Sequence, residues 1–85
     1  MTLAFLDDMI NQKMTQDEEC VVFTFYELRV KSNLSTEDAQ IAIHLAKQKL
    51  ENNNYKVYTT GDEYIFKGEN KVVQNNQLLV AIKEI

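Results

Sequence analysis

The sequence predicts a single small domain of the α+β class: three helices, a β-hairpin, and a closing segment that is strand or helix. Three observations predict it. A chain of 85 residues has room for one core only. Apolar residues recur at helical spacing in its first half, at Leu3, Leu6, Ile10 and Met14 and again at Ala39, Ala42, Ile43, Ala46 and Leu50. Beyond them, YKVYTT and EYIFK alternate apolar and polar residues on either side of Gly61-Asp62, the pattern of a hairpin. The hydrophobic fraction of 45% suits a globular chain and is too high for a disordered one.

Each element has a local cause. Thr2 caps a first helix over residues 3–14, which the polar run TQDEE ends. CVVF is a short apolar, β-branched run and reads as a strand. Thr24 and Glu27 have the spacing of a capping box, so a short second helix starts there, runs to residue 32 and buries Phe25 and Leu28. Ser32-Asn33 makes the turn. Ser35 caps a third helix, with Glu37 and Asp38 at its positive end. Ile41 and Leu45 widen the apolar face of that helix, while Gln40, His44, Lys47 and Glu51 form the opposite stripe. Asn52-Asn53-Asn54 ends it, since Asn tolerates the left-handed conformation of a helix C-terminus. Through a type II′ turn at Gly61-Asp62, Val57 faces Phe66 and Thr59 faces Tyr64. Those residues join Tyr55 on an apolar face and leave Lys56, Tyr58, Ile65 and Lys67 on the other. The end of the chain has two readings. Asn75-Asn76 turns a second hairpin with LLVAI as its returning strand, or Asn76 caps a helix through Leu78, Leu79, Ile82 and Ile85. The β character of Val72, Val73, Val80 and Ile82 favours the strand.

Composition excludes several function classes. No apolar run approaches the roughly 18 residues of a membrane span, and MTLAFLDDMI lacks the basic start of a signal peptide, so no membrane association is expected. Cys20 is the only cysteine and His44 the only histidine, which rules out an intramolecular disulfide and a Cys/His zinc site and points to a reducing, cytoplasmic setting. Asp17-Glu18-Glu19 lacks the spacing of a calcium loop. There is no glycine-rich phosphate loop, no serine-nucleophile signature and no framed carboxylate pair, so neither an enzyme nor a cofactor is expected. The net charge of -4 argues against generic nucleic-acid binding, but it is unevenly spread. Asp7, Asp8, Asp17, Glu18, Glu19 and Glu27 face Lys13 alone within residues 1–28, whereas residues 29–85 hold eight bases and seven acids.

The order helix, short strand, helix, tight turn, helix, hairpin resembles the winged helix-turn-helix family. TFYELRVKSNLSTEDAQIAIHLAKQKL resembles its two central helices and YKVYTTGDEYIFKG its wing, over residues 20–68. In size and composition the chain is also similar to small proteins that phages and staphylococcal-type cassette elements encode beside their replication genes. Some of those bind single-stranded DNA or partner a polymerase or helicase. The resemblance implies a single winged-helix domain over residues 1–85. It also implies an accessory role in a mobile element's replication module.

On that layout the outer stripe of the third helix, Gln40, His44 and Lys47, occupies the place of a recognition surface. Arg29 and Lys31 extend it from the second helix. In the hairpin, Tyr58 flanked by Lys56 and Lys67 is a ring between two ammonium groups, on which a base can stack. Each residue also has a plainer reading. His44 is a surface residue, Tyr58 packs on Ile65 and the C-terminal segment, and Arg29 and Lys31 pair with nearby acids. Glu37 and Asp38 at the start of the third helix repel phosphate, which argues against ordinary duplex-operator binding. The expected partner is therefore single-stranded DNA, bound by a monomer or weak homodimer. The alternative is a protein-interaction module that docks its acidic front on a replication polymerase, a helicase or a host factor. A weaker alternative is a dimeric transcriptional repressor, for which the chain shows no obvious dimerisation helix.

Overall fold

The computed structural model describes residues 4–84; the Thr2 cap and the apolar positions Leu3 and Ile85 lie outside them. Within them the order is helix α1 (Ala4–Gln16), strand β1 (Cys20–Thr24), helix α2 (Tyr26–Lys31), helix α3 (Thr36–Asn52), and strands β2 (Tyr55–Thr59), β3 (Glu63–Phe66), β4 (Glu69–Val72) and β5 (Gln77–Lys83). The domain is thus α+β with antiparallel sheets, and its last segment is a strand.

The caps form as the local sequence dictates. Just past α1, the Asp17 carboxylate accepts from the Glu19 and Cys20 amides at 3.0 and 3.3 Å and holds the turn towards β1. The Glu27 carboxylate accepts from the Thr24 amide at 3.1 Å, and the Thr24 hydroxyl accepts from the Glu27 amide at 3.2 Å. The helix this box opens is π-wound: the Ser32 amide donates to the Glu27 carbonyl, five residues back, at 2.9 Å. Asn33, at φ 54°, turns the chain into α3, where the Ser35 hydroxyl accepts from the Asp38 amide at 3.1 Å. Leu28 is buried as expected, but Phe25 is 46% exposed. Its amide donates to the Asn76 carbonyl at 2.9 Å, so it serves as the strand-to-helix joint and its ring is left outside the core.

Helix α3 lies across β2 and β5 on its Ala39, Ala42, Ala46 and Leu50 edge. Three alanines let its backbone close down on the sheet, which narrows the strip of helix surface that is covered. Ile41 and Leu45, expected to widen the buried face, therefore stand 51% and 42% exposed.

The expected pairing of β2 with the next strand across Gly61-Asp62 does not form. The principal sheet has the order β1-β5-β2, with Val57 opposite Ala81 and Thr59 opposite Leu79; β3 pairs only with β4, putting Phe66 opposite Glu69. Two physical causes act together. The bond from the Asp62 amide to the Thr59 carbonyl, 2.9 Å, makes Gly61 (φ 90°) the third residue of its turn. A turn with positive φ only there splays its flanking strands, whereas Lys67-Gly68, at φ 52° and 81°, has the two positive angles that close a tight hairpin. The second cause is β5 itself: a strand apolar on both faces is most stable between two neighbours with both faces covered.

The covers differ. Leu79 and Ala81 join Phe23, Val21, Leu6, Ile10, Leu28 and Leu50 in the main core beneath the helices. Strand alternation points Val80 the other way, yet it is fully buried, as is Val73. The β3–β4 hairpin folds back over this outer face, with the Tyr58 and Tyr64 ring centroids 5.4 Å apart and the Lys67 ammonium 3.2 Å from the Glu19 carboxylate.

Candidate functional site

Where α2, the start of α3 and the end of β2 converge, the chain leaves an open groove of about 400 Å³. Ala39, Ile43 and Leu78 form its floor, and the outward ring of Phe25 forms one wall. The small alanine side chain makes the depth.

The polar rim is built by local necessity. Arg29 leaves α2 at the level of the α2–α3 turn, where the Leu34 carbonyl lacks a helical partner. Its Nε donates to that carbonyl at 2.9 Å and its Nη1 to the Thr36 hydroxyl at 2.6 Å. The guanidinium carbon lies over the Phe25 ring, 5.5 Å from its centroid, so cation and ring form a stacked pair. Among the described residues no carboxylate pairs with Arg29, and no acidic side chain lines the groove. Thr36 accepts from Arg29 and keeps its own proton for a ligand. Thr60 donates to the Gln77 carbonyl at 2.6 Å and keeps its lone pairs. Gln40, exposed on α3, offers an amide on the same rim. A cation, a ring, two hydroxyls and an amide over an apolar floor can hold a flat apolar group with an attached anion.

The eight residues singled out in the sequence divide between two faces of the sheet. Arg29 and Gln40 meet in the groove. Lys47 and His44 extend the same side of α3, both exposed; Lys47 has no carboxylate partner among the described residues, and His44 Nε2 lies 3.3 Å from Gln48 Nε2. Lys31 is exposed at the end of α2. Lys56 and Tyr58 instead point to the outer face, beneath which the helices do not reach. Lys56 Nζ is 5.7 Å from the Tyr58 ring centroid, but that ring is half-buried against Tyr64. Lys67 turns to Glu19 and lies over Phe66, 5.3 Å from its ring centroid. The expected Lys56–Tyr58–Lys67 platform depended on β2 pairing with β3, and it is absent for the same reason that pairing is. Phe25, Thr36 and Thr60 escaped the sequence reading, because Phe25 has the pattern of a core residue and the threonines that of strand and cap.

Three ionisable groups near the core are shifted. Burial, with the Glu18 carboxylate adding to it, raises the Tyr55 phenol, whose hydroxyl donates to the Glu18 carbonyl at 2.8 Å. Burial pushes the Cys20 thiol up, and the neighbouring Asp17 carboxylate adds to it, so the thiol stays protonated. Burial alone raises Glu27 as well, but the Lys13 ammonium at 2.7 Å and the Thr24 bonds together outweigh it and hold the carboxyl below its usual range. Among the described residues no helix is long and apolar enough to cross a membrane. No protein-family model, curated protein or solved structure matches the chain.

Proposed function

We propose that the protein is a non-enzymatic single-stranded-DNA-binding accessory protein on a winged-helix framework, and that the α2–α3 groove receives the strand. The framework reading rests on the order α1, β1, α2, α3, β2, β5 and the strand order β1-β5-β2, with the β3–β4 hairpin in the position of the wing. A replication module of a mobile element is the setting we propose for it. The observation that carries the binding reading is the Arg29–Phe25 cation–π pair, in a groove lined by no carboxylate and edged by Thr36, Gln40 and Thr60. A base stacks on the ring, and the next phosphate meets the guanidinium. Arg29, Lys31 and Lys47 are the cations on this side, so contact is modest and salt-sensitive.

Fluorescence anisotropy with a labelled oligothymidine tests this. About three phosphate contacts correspond to a log-log salt slope of about -2 for a single strand. Loss of one stacked base costs about 1–3 kcal/mol, so Phe25→Ala weakens binding roughly 5- to 150-fold, and Arg29→Gln weakens it and flattens the slope. Unchanged affinity in both variants contradicts the site.

A second reading, docking on a replication protein, is favoured by Tyr26 and Val30, which stand 62% and 58% exposed four residues apart on α2. It predicts a stoichiometric complex on co-expression with that partner, lost in Tyr26→Ala, and no oligonucleotide binding.

A further inference from the structure

Resting on the strand-binding reading of the groove, we infer that Thr60 sets its preference for unpaired bases. The Thr60 hydroxyl oxygen accepts a hydrogen bond from an N–H on the Watson–Crick edge of the bound base. The two hydroxyls of the rim are not equivalent. A carbonyl oxygen only accepts, so the Thr60 hydroxyl, 2.6 Å from the Gln77 carbonyl, has its proton committed there and turns lone pairs alone to a ligand. A guanidinium only donates, so Thr36 receives the Arg29 Nη1–H at 2.6 Å and is left with a proton to give. The rim therefore has a donor end and an acceptor end.

The sheet holds these ends apart. Phe25, whose amide donates to the Asn76 carbonyl, follows β1, and Thr60 follows β2, while β5 runs between those strands. Two strand spacings separate them by roughly 10 Å, with Leu78 of β5 in the groove floor. At the donor end, Leu34 and Thr36 engage two of the guanidinium N–H groups of Arg29. The others, with the Thr36 proton, are left for an anion. A nucleotide meets both ends in one orientation, with its phosphate at the α2–α3 turn and its base edge at the end of β2.

Every base carries an N–H on its Watson–Crick edge: the exocyclic amino group of adenine and cytosine, the ring N–H of guanine and thymine. That group is available in a single strand and occupied in a duplex. An acceptor fixed at Thr60 thus favours unpaired bases without selecting among the four. Gln40, on the same rim, does not impose this polarity, since its amide holds both a carbonyl and an NH2 and turns to suit either partner.

Anisotropy with a labelled oligothymidine and its counterpart built from 3-methylthymidine, in which a methyl group replaces the ring N–H, tests this as a double-mutant cycle. In the parent chain methylation weakens binding about 2- to 13-fold, the worth of one hydrogen bond. Thr60→Val keeps the shape of the side chain and removes its oxygen. It weakens oligothymidine binding by a similar factor and makes the two strands bind alike, whereas Thr60→Ser retains the parent's discrimination. Thr60 is exposed in the turn after β2, so both variants keep the parent's circular dichroism. Equal affinity of the parent for the two strands overturns the inference. So does a methylation penalty undiminished in Thr60→Val, which would be crowding rather than a lost acceptor. Phe25→Ala keeps the two levels apart: if it weakens binding while the parent is indifferent to methylation, the groove stands and the role of Thr60 falls. If the parent binds neither strand, both fall.

Discussion

Arg29 does three jobs with one side chain: it closes the α2–α3 turn through Leu34, orients Thr36, and lies against Phe25. A lysine has the charge but not the fixed fork that reaches both acceptors, so charge alone does not replace it. Glu27 is the corresponding anchor at the other end of α2, where it completes the capping box and binds Lys13. Its carboxyl is held below the usual range in the fold, so the stability it contributes is complete above the ordinary carboxylate pKa and disappears as pH falls through the depressed value. Glu27→Gln accordingly costs about 1 kcal/mol at neutral pH, and its urea midpoint converges on the parent's in acid. A constant gap at all pH values would show that the loss is one of packing. At this scale the sequence was informative: Thr24, Glu27 and Ser35 cap as their spacing requires, because a cap is a contact between residues three apart and needs no tertiary context.

Elements were legible in kind but not in partnership. The strand character of β5 follows from Val80 and Ile82, and the helical character of α3 from its alanine stripe. The choice of neighbour for β2 does not, since Val57 finds an apolar partner equally in Phe66 or in Ala81. Gly61 decides it through the position it takes in its turn, a matter of one residue. That displacement moves Tyr58 from an exposed platform to the floor of the β3–β4 hairpin. Tyr58→Ala therefore lowers stability, by about 0.5–1.5 kcal/mol for the lost ring pair beyond the area it uncovers, and leaves oligonucleotide affinity unchanged. Chemical denaturation and anisotropy on the same sample check both halves. A loss of affinity with no loss of stability would restore the hairpin as the binding surface.

For the whole molecule, the acidic front is less free than its count implies. Asp7 pairs with Lys49, Glu19 with Lys67 and Glu27 with Lys13, while Asp17 holds the turn after α1. These pairs join the front of the chain to α3, to the hairpin and to α2. They leave Arg29, Lys31 and Lys47 without carboxylate partners among the described residues on the groove side. A net charge of -4 thus coexists with a less acidic surface on the groove side. This redistribution was not legible in the sequence, because it depends on which acid lies across from which base after folding. The groove was half legible: Arg29 and Gln40 stand out as polar groups on helices, but its aromatic wall is a residue whose pattern assigns it to the core. The most direct test of the groove is a chemical-shift titration of the labelled protein with a short oligothymidine. Binding in the groove shifts the Phe25 ring, the Arg29 Nε–H, and the amides of Thr36, Gln40 and Thr60; shifts confined to Lys56, Tyr58 and Lys67, or none at saturating oligonucleotide, would contradict it.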